Sequence, residues 1–372
     1  MLLLKHRVPA VAVAACSFAL TAAPAASAQG GHQGDHPKKW TRTLTTEVLA
    51  PFQLAVNHHQ VYVADGGTST VSRLVGGSLQ TLASGPPQGE VAGLDVTANG
   101  KSFAYTATNY ATGETTLTIK TRGVPDVVAH PSEFEQTHNP DGDRTYGLGP
   151  NASDCAKGVI EKLTHGPATY TGVVDSHPYA VASLGNGSWA VAEAAGNDIL
   201  KVDSHGTISV LAILPAQVTT FTPTMVGALG APDCLIGESY AFEPVPTDVE
   251  VGPSGQLWVS TLPGGPEDPS LGARGSVYKV NPSTGASQRV ATGFLGATNL
   301  AVSPDGTAYV TELFAGKISR VSRTGQVSTA AWLPNPLSVE VDGGYLYAGT
   351  LAPMNPGTGE LVGSGSVVQL RR

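Results

Sequence analysis

A unit of short strands and tight turns recurs along this chain, and a repeat constrains the fold more than any single motif does. One copy spans residues 179–214 (YAVASLGNGSWAVAEAAGNDILKVDSHGTISVLAIL), another residues 299–333 (NLAVSPDGTAYVTELFAGKISRVSRTGQVSTAAWL), and a third residues 53–83 (QLAVNHHQVYVADGGTSTVSRLVGGSLQTLA). Each reads as strand, Gly or polar turn, strand, loop, strand, turn, strand. Weaker copies begin near Gly93, Asp248 and Ser338. The third strand carries its own signature, apolar-x-Lys/Arg/Gln-apolar. It appears as Val71-Ser72-Arg73-Leu74, Ile199-Leu200-Lys201-Val202, Val277-Tyr278-Lys279-Val280, Ile318-Ser319-Arg320-Val321 and Val367-Val368-Gln369-Leu370. Period-two alternation puts one face of each unit against a neighbour. A four-stranded unit of roughly forty residues is the size of one propeller blade.

The expected fold is therefore all-β: a β-propeller of about six blades, occupying residues 40–372 as one domain. The last copy ends at Leu370 after its third strand, while residues 41–49 (TRTLTTEVL) resemble the fourth strands of other copies. The N-terminal strand should complete the last blade, which removes an open edge. Residues 131–176 leave seven blades as the alternative. Ile160-Glu161-Lys162-Leu163 followed by ATYTGVV fits a third and fourth strand, but the preceding residues supply no first and second. Asp154 to Leu163 after Ser153 reads equally as a capped helix, so six blades plus an insertion is the expectation.

Strand order decides which loops share a face. First-to-second and third-to-fourth turns lie on one side and are short: Asn99-Gly100, Gly185-Asn186-Gly187, Pro253-Ser254-Gly255, Pro304-Asp305-Gly306 and Asp342-Gly343-Gly344. Such Gly and Asn residues tolerate positive φ. The other side holds every long insertion: residues 131–176, 215–246, 262–275 and 351–365. Long loops in compact domains are usually functional, so that face is the expected binding face.

The N-terminus reads as a targeting signal. Lys5, His6 and Arg7 precede an apolar stretch to Ala22, and Ala26-Ser27-Ala28 is a cleavage motif, which gives a signal peptide over 1–28. A lipobox-like Val13-Ala14-Ala15-Cys16 would instead lipidate Cys16. Residues 29–39 are polar and expected to be disordered. Secretion to the extracellular space follows, and with it an oxidising environment. Cys155 and Cys234 are the two cysteines of the mature chain and are expected to form a disulfide. They lie in the insertions on either side of the 179–214 copy. A formal net charge of −8 with no basic stripe argues against nucleic acid as partner. No stretch after the signal could span a membrane.

Second strands tend to end in a carboxylate on the elaborated face: Asp65, Glu193 and Glu312. Asp248 and Asn299 stand where first strands begin on that face. His177 lies in one of its loops, as does His138. Asp65, His177, Glu193, Asp248, Asn299 and Glu312 are thus the candidate ligand-binding residues. Glu193, Asp248, Asn299 and Glu312 are candidate ligands for Ca²⁺, which prefers such oxygen donors. The alternative role for each repeated carboxylate is to bond the adjacent backbone turn. Asn139-Pro140-Asp141-Gly142-Asp143 has the flavour of a Ca²⁺ loop but lacks its distal Glu, and reads as a turn. Asn151 and Asn186 fit the glycosylation pattern. No nucleophile elbow, zinc-protease motif or phosphate loop is present, and no catalytic residue is assigned.

NPDGD (139–143), DSHPYAVA (175–182), AEAAGNDILKVD (192–203) and VPTDVEVGPSGQLWVSTLPGG (245–265) resemble the ScyD/ScyE family of secreted bacterial proteins. The resemblance implies a propeller related to NHL-type repeats. It brings no catalytic residue with it. Two readings of function stand. The first is a non-enzymatic extracellular protein that binds a ligand or protein partner through the long-loop face. The second is a metal-dependent lactonase or esterase on a six-bladed scaffold, which rests on analogy of fold alone.

Overall fold

The computed structural model describes residues 41–355 and 358–372. The signal peptide, the 29–39 segment and Cys16 lie outside the described residues. The fold is all-β; the described residues form seven four-stranded antiparallel sheets and three α-helices, α1 (Pro131–His138), α2 (Asp154–Thr164) and α3 (Pro223–Ala228). The signature third strands form as read from their alternation. In Asp198–Val202, Ile199, Leu200 and Val202 are buried while Lys201 is half-exposed.

Six of the sheets take their strands in chain order, the last with one addition. Their first strands stand side by side in a closed circuit. Pro51–Asn57 packs against Gly89–Val96, which packs against Pro178–Gly185, then Pro246–Val251, Ala297–Val302, Pro336–Asp342 and back to Pro51–Asn57. Adjacent sheets bury one face on each other. Ala190, Ala192, Ile199 and Leu214 of one sheet meet Val249, Val259, Tyr278 and Val280 of the next. The addition is at the chain ends: Thr41–Thr45 pairs antiparallel with Ser366–Arg371, Thr41 opposite Leu370. The regular strand is shorter than the 41–49 segment expected, because Leu49 and Ala50 turn to give their amides to Asp65.

The sheet count is seven, where sequence reading expected six. The seventh runs Thr169–Thr171, Thr145–Leu148, Ser239–Phe242, Gln217–Thr220 and is assembled from the 131–176 and 215–246 insertions together. Its central pairing sets Leu148 opposite Tyr240. Ile160 to Leu163, weighed as a third strand, is helical. Ser153 accepts the Ala156 amide at 3.2 Å, Asp154 sits in the first turn and Lys162 in the last, so cap and dipole both favour α2. This sheet and α2 share a core of their own with α3: Leu148, Ala156, Ile160, Phe221, Val226 and Leu235. Leu271 of the 262–275 loop joins it. Three long loops of one face thus condense into a single cap.

On the opposite face, Gly185, Asn186 and Gly187 all take positive φ, which closes their hairpin tightly.

Candidate functional site

The repeated carboxylates bond the chain around them. Asp65 accepts the amides of Leu49, Ala50 and Gly67 at 2.8–3.0 Å. Glu193 accepts the Ser176 hydroxyl at 2.9 Å, the His177 amide and the Gly196 amide. Glu312 accepts the Leu295 amide at 2.8 Å and the Ser319 hydroxyl, and pairs with Lys317 at 3.2 Å. Each acid bonds the segment entering its sheet; Asp65 and Glu193 tie it to their own second-to-third-strand turn, and Glu312 ties it to the third strand. Asp248 and Asn299 each bond the next sheet of the ring, and Asp248 also bonds Gln53 of the opposite sheet. Asp248 accepts from Leu300 N at 2.8 Å and from Gln53 Nε2 at 3.2 Å, and Asn299 Oδ1 accepts from Val339 N at 2.7 Å. Glu193, Asp248, Asn299 and Glu312 therefore do not come together as one cation site. Each carboxylate or amide is bonded within its own neighbourhood, and among the described residues no group of three or more His, Cys, Asp or Glu is arranged to hold a metal.

His177 is buried, and its Nε2 meets the Glu90 carboxylate. Burial alone would lower the His177 pKa, but Glu90, Glu193 and Asp175 outweigh it and hold it above the usual value. His138 is elsewhere, stacked on Phe134 with its ring exposed on α1.

Three further acids lie close to Glu193: Glu135 and Asp198, which sequence reading did not single out, and Asp141, which it read as part of a turn. Glu135 comes from α1, Asp141 from the turn after it, and Asp198 from the strand opposite Glu193. Asp141 Oδ2 accepts from Tyr146 and Asn197, each at 2.9 Å. Burial, reinforced by the neighbouring carboxylates, pushes Glu135 up to about 8 and Asp198 well above the ordinary range. Glu193 rises to about 7 from burial, against the pull of its hydrogen bonds.

The cap encloses an apolar cavity of about 380 Å³. All three long loops contribute to its wall: Leu163 and Tyr170 from the first, Phe242 and Glu243 from the second, Leu262 and Gly265 from the third. Arg274 holds the third loop in place. Its guanidinium lies 4.4 Å from the Phe242 ring centroid and donates to the carbonyls of Gly264 and Pro263. Two acids line the cavity, Glu243 and Glu267, and Glu243 is buried and bonded to Tyr170. Burial and the nearby Asp141 push it up to about 7, so it can donate or accept a hydrogen bond near neutral pH. Nothing in the repeat pattern points to this cavity, since none of its walls belongs to a repeated strand. The signal that was available is the density of aromatic residues within the insertions.

A disulfide joins Cys155 of α2 to Cys234 across the cap, with the α-carbons 6.2 Å apart. Among the described residues no helix is long and apolar enough to cross a membrane.

No family model matches the chain, and no curated protein matches it in sequence. Solved structures do match its fold. A putative oxidoreductase (glucose dehydrogenase) from Thermus thermophilus is 16% identical with a TM-score of 0.54, over 89% of this chain and 99% of that one. A gluconolactonase from Xanthomonas campestris is 10% identical with a TM-score of 0.52, over 90% of each chain. Virginiamycin B lyase from Staphylococcus aureus is 14% identical with a TM-score of 0.50, over 90% of this chain and 99% of that one. At these identities the likeness is one of fold, and the fold is that of a β-propeller.

Proposed function

We propose that this chain is a secreted, non-enzymatic propeller that binds a small, largely apolar, ring-bearing ligand in the cavity of its cap. In this reading six sheets form the propeller ring and the seventh belongs to the cap. Membership of the ScyD/ScyE family is part of the same proposal. One observation carries the reading: three loops far apart in sequence share one core around one cavity. Independent drift in loop length gives no reason for separate insertions to fold together. The cavity is of the size that small-molecule sites have, apolar walls with few polar groups. Glu243 supplies the group that would orient a ligand hydroxyl or amine. The disulfide supports secretion, since such bonds persist in oxidising compartments.

The lactonase or esterase reading draws only weak support, from fold neighbours that are enzymes at 10–16% identity. The residues expected to build its metal centre stand in separate bonding patterns, and the enzymes among the fold neighbours share only the scaffold.

The test is a titration with N-phenyl-1-naphthylamine, a neutral fluorophore that brightens in apolar surroundings. Saturable one-to-one binding is expected, and Leu163→Arg should abolish it. Leu163 is 44% exposed at the cavity wall, so an arginine there fills the opening without disturbing the core. Absence of saturable binding, or equal binding by the variant, contradicts the proposal.

A further inference from the structure

The repeats serve as internal controls for one another. In three sheets the carboxylate ending the second strand faces the first residue of the third. Asp65 faces Thr70, Glu312 faces Lys317, and Glu193 faces Asp198. Lys317 brings an ammonium to 3.2 Å from Glu312. At the same place beside Glu193 the chain has a second carboxylate. Like charges directly opposite on paired strands destabilise them, and burial makes the cost larger. Yet α1 and its following turn add two more acids here, Glu135 and Asp141.

The bonding around these acids is incomplete. Asp198 is fully buried and neither of its oxygens has a hydrogen-bond partner. Glu135 Oε1 and Asp141 Oδ1 are likewise buried and unpartnered. Buried polar atoms are nearly always bonded, and exceptions call for a missing water or ion. His177, which acts on Glu193, has its Nε2 already engaged by Glu90. Glycines leave room beside three of these acids, Gly196 beside Glu193 and Glu135 and Gly172 beside Asp141. A Cβ on Gly196 would lie 3.1 Å from Glu193 Oε2 and 3.3 Å from Glu135 Oε2, and one on Gly172 would lie 1.9 Å from Asp141 Oδ1.

We propose that Glu135, Asp141, Glu193 and Asp198 form a Ca²⁺ site that ties α1 and its following turn to the strand pair of Glu193 and Asp198. The ion stands where the Lys317 ammonium stands in the later repeat. The donors are all carboxylate oxygens from an irregular mixture of helix, turn and strand. That suits Ca²⁺, with its flexible coordination, better than Mg²⁺, which demands near-octahedral geometry and keeps its waters. The four acids do not yet converge at bonding distance, so Ca²⁺ draws Asp198 and Glu135 inward as it binds.

The test uses the full chain stripped with EDTA. Tb³⁺ is the first probe, because Tyr146, 2.9 Å from Asp141, can sensitise its luminescence. Sensitised emission displaced by Ca²⁺ is expected. Millimolar Ca²⁺ should raise the melting temperature by about 3 °C or more, by mass action. Asp198→Asn should weaken Ca²⁺ about tenfold or more, since it removes one charged donor. Asp198→Lys supplies the missing cation from within. It should melt above the stripped wild type and ignore Ca²⁺. Should Asp198→Asn fail to fold, Glu135→Gln reports the same loss from the helix side. The proposal is overturned if stripped wild type neither sensitises Tb³⁺ nor responds to Ca²⁺. A stronger response to Mg²⁺ or Zn²⁺, or an undiminished Ca²⁺ response in Asp198→Asn or Glu135→Gln, overturns it too.

Discussion

Replacing both Cys155 and Cys234 with serine should cost stability through the unfolded chain and leave native packing almost untouched. Cys155 is exposed and Cys234 half-exposed, so serine leaves no cavity, while their neighbours Ala156 and Leu235 stay buried in the cap core. The bond closes a loop with a sequence separation of 79, which includes the whole sheet from Pro178 to Ile213. For a loop of that length the chain-entropy relation gives about 4.5 kcal/mol at 25 °C, an upper figure, since measured losses are typically 2–4 kcal/mol. Guanidinium unfolding followed by circular dichroism measures the global loss, and limited proteolysis of the 215–246 insertion measures opening of the cap. A lower midpoint with unchanged slope, together with faster cleavage of the insertion, is expected. An unchanged midpoint and unchanged cleavage would refute the argument that this bond holds two insertions and the sheet between them.

Deleting residues 41–45 should lower the melting temperature and cause concentration-dependent aggregation, because it bares the edge of Ser366–Arg371; a monomeric truncation melting like the full chain contradicts this. Stability of the EDTA-treated protein should fall as pH rises from 5 to 8. Asp95, raised to about 6 by burial, and Asp248, Glu250 and Glu340, all raised by burial, hold protons in the native state that the unfolded chain releases near pH 4. The stabilisation is complete below the unfolded pKa and is lost as pH climbs through the native values. Glu250→Gln with Glu340→Gln should flatten that decline, and an equally steep profile in the double variant removes these two acids from the account. Asn299→Ala should cost roughly 1–3 kcal/mol by leaving the buried Val339 amide unbonded, which denaturant midpoints would show.

The ring of sheets was legible because its signals repeat. The Gly turns, the alternating third strands and the orphan N-terminal strand each recur or complete a recurrence. The seventh sheet was not legible for the opposite reason. Its strands are three or four residues long, too short to show alternation, and the Leu148–Tyr240 pairing spans the whole intervening sheet in sequence. The candidate residues divide in the same way. Asp65, Glu193 and Glu312 are visible as a repeated position, but repetition is also what a structural bond requires, and each bonds the segment entering its own sheet. The exception within that pattern carries more information. Thr70, Asp198 and Lys317 occupy equivalent places, and aligning them exposes Asp198 as a charge without a counter-charge. Glu135 and Asp141 could not be joined to it from sequence, because the turn after α1 reaches Asn197 only through tertiary packing.

A crystal structure of the protein grown with N-phenyl-1-naphthylamine tests most directly whether the cap cavity is a ligand site. The probe is predicted to lie between Leu163, Tyr170, Phe242 and Leu262, with its amine toward Glu243. Density for the probe elsewhere on the protein, with the cap cavity empty, would contradict it.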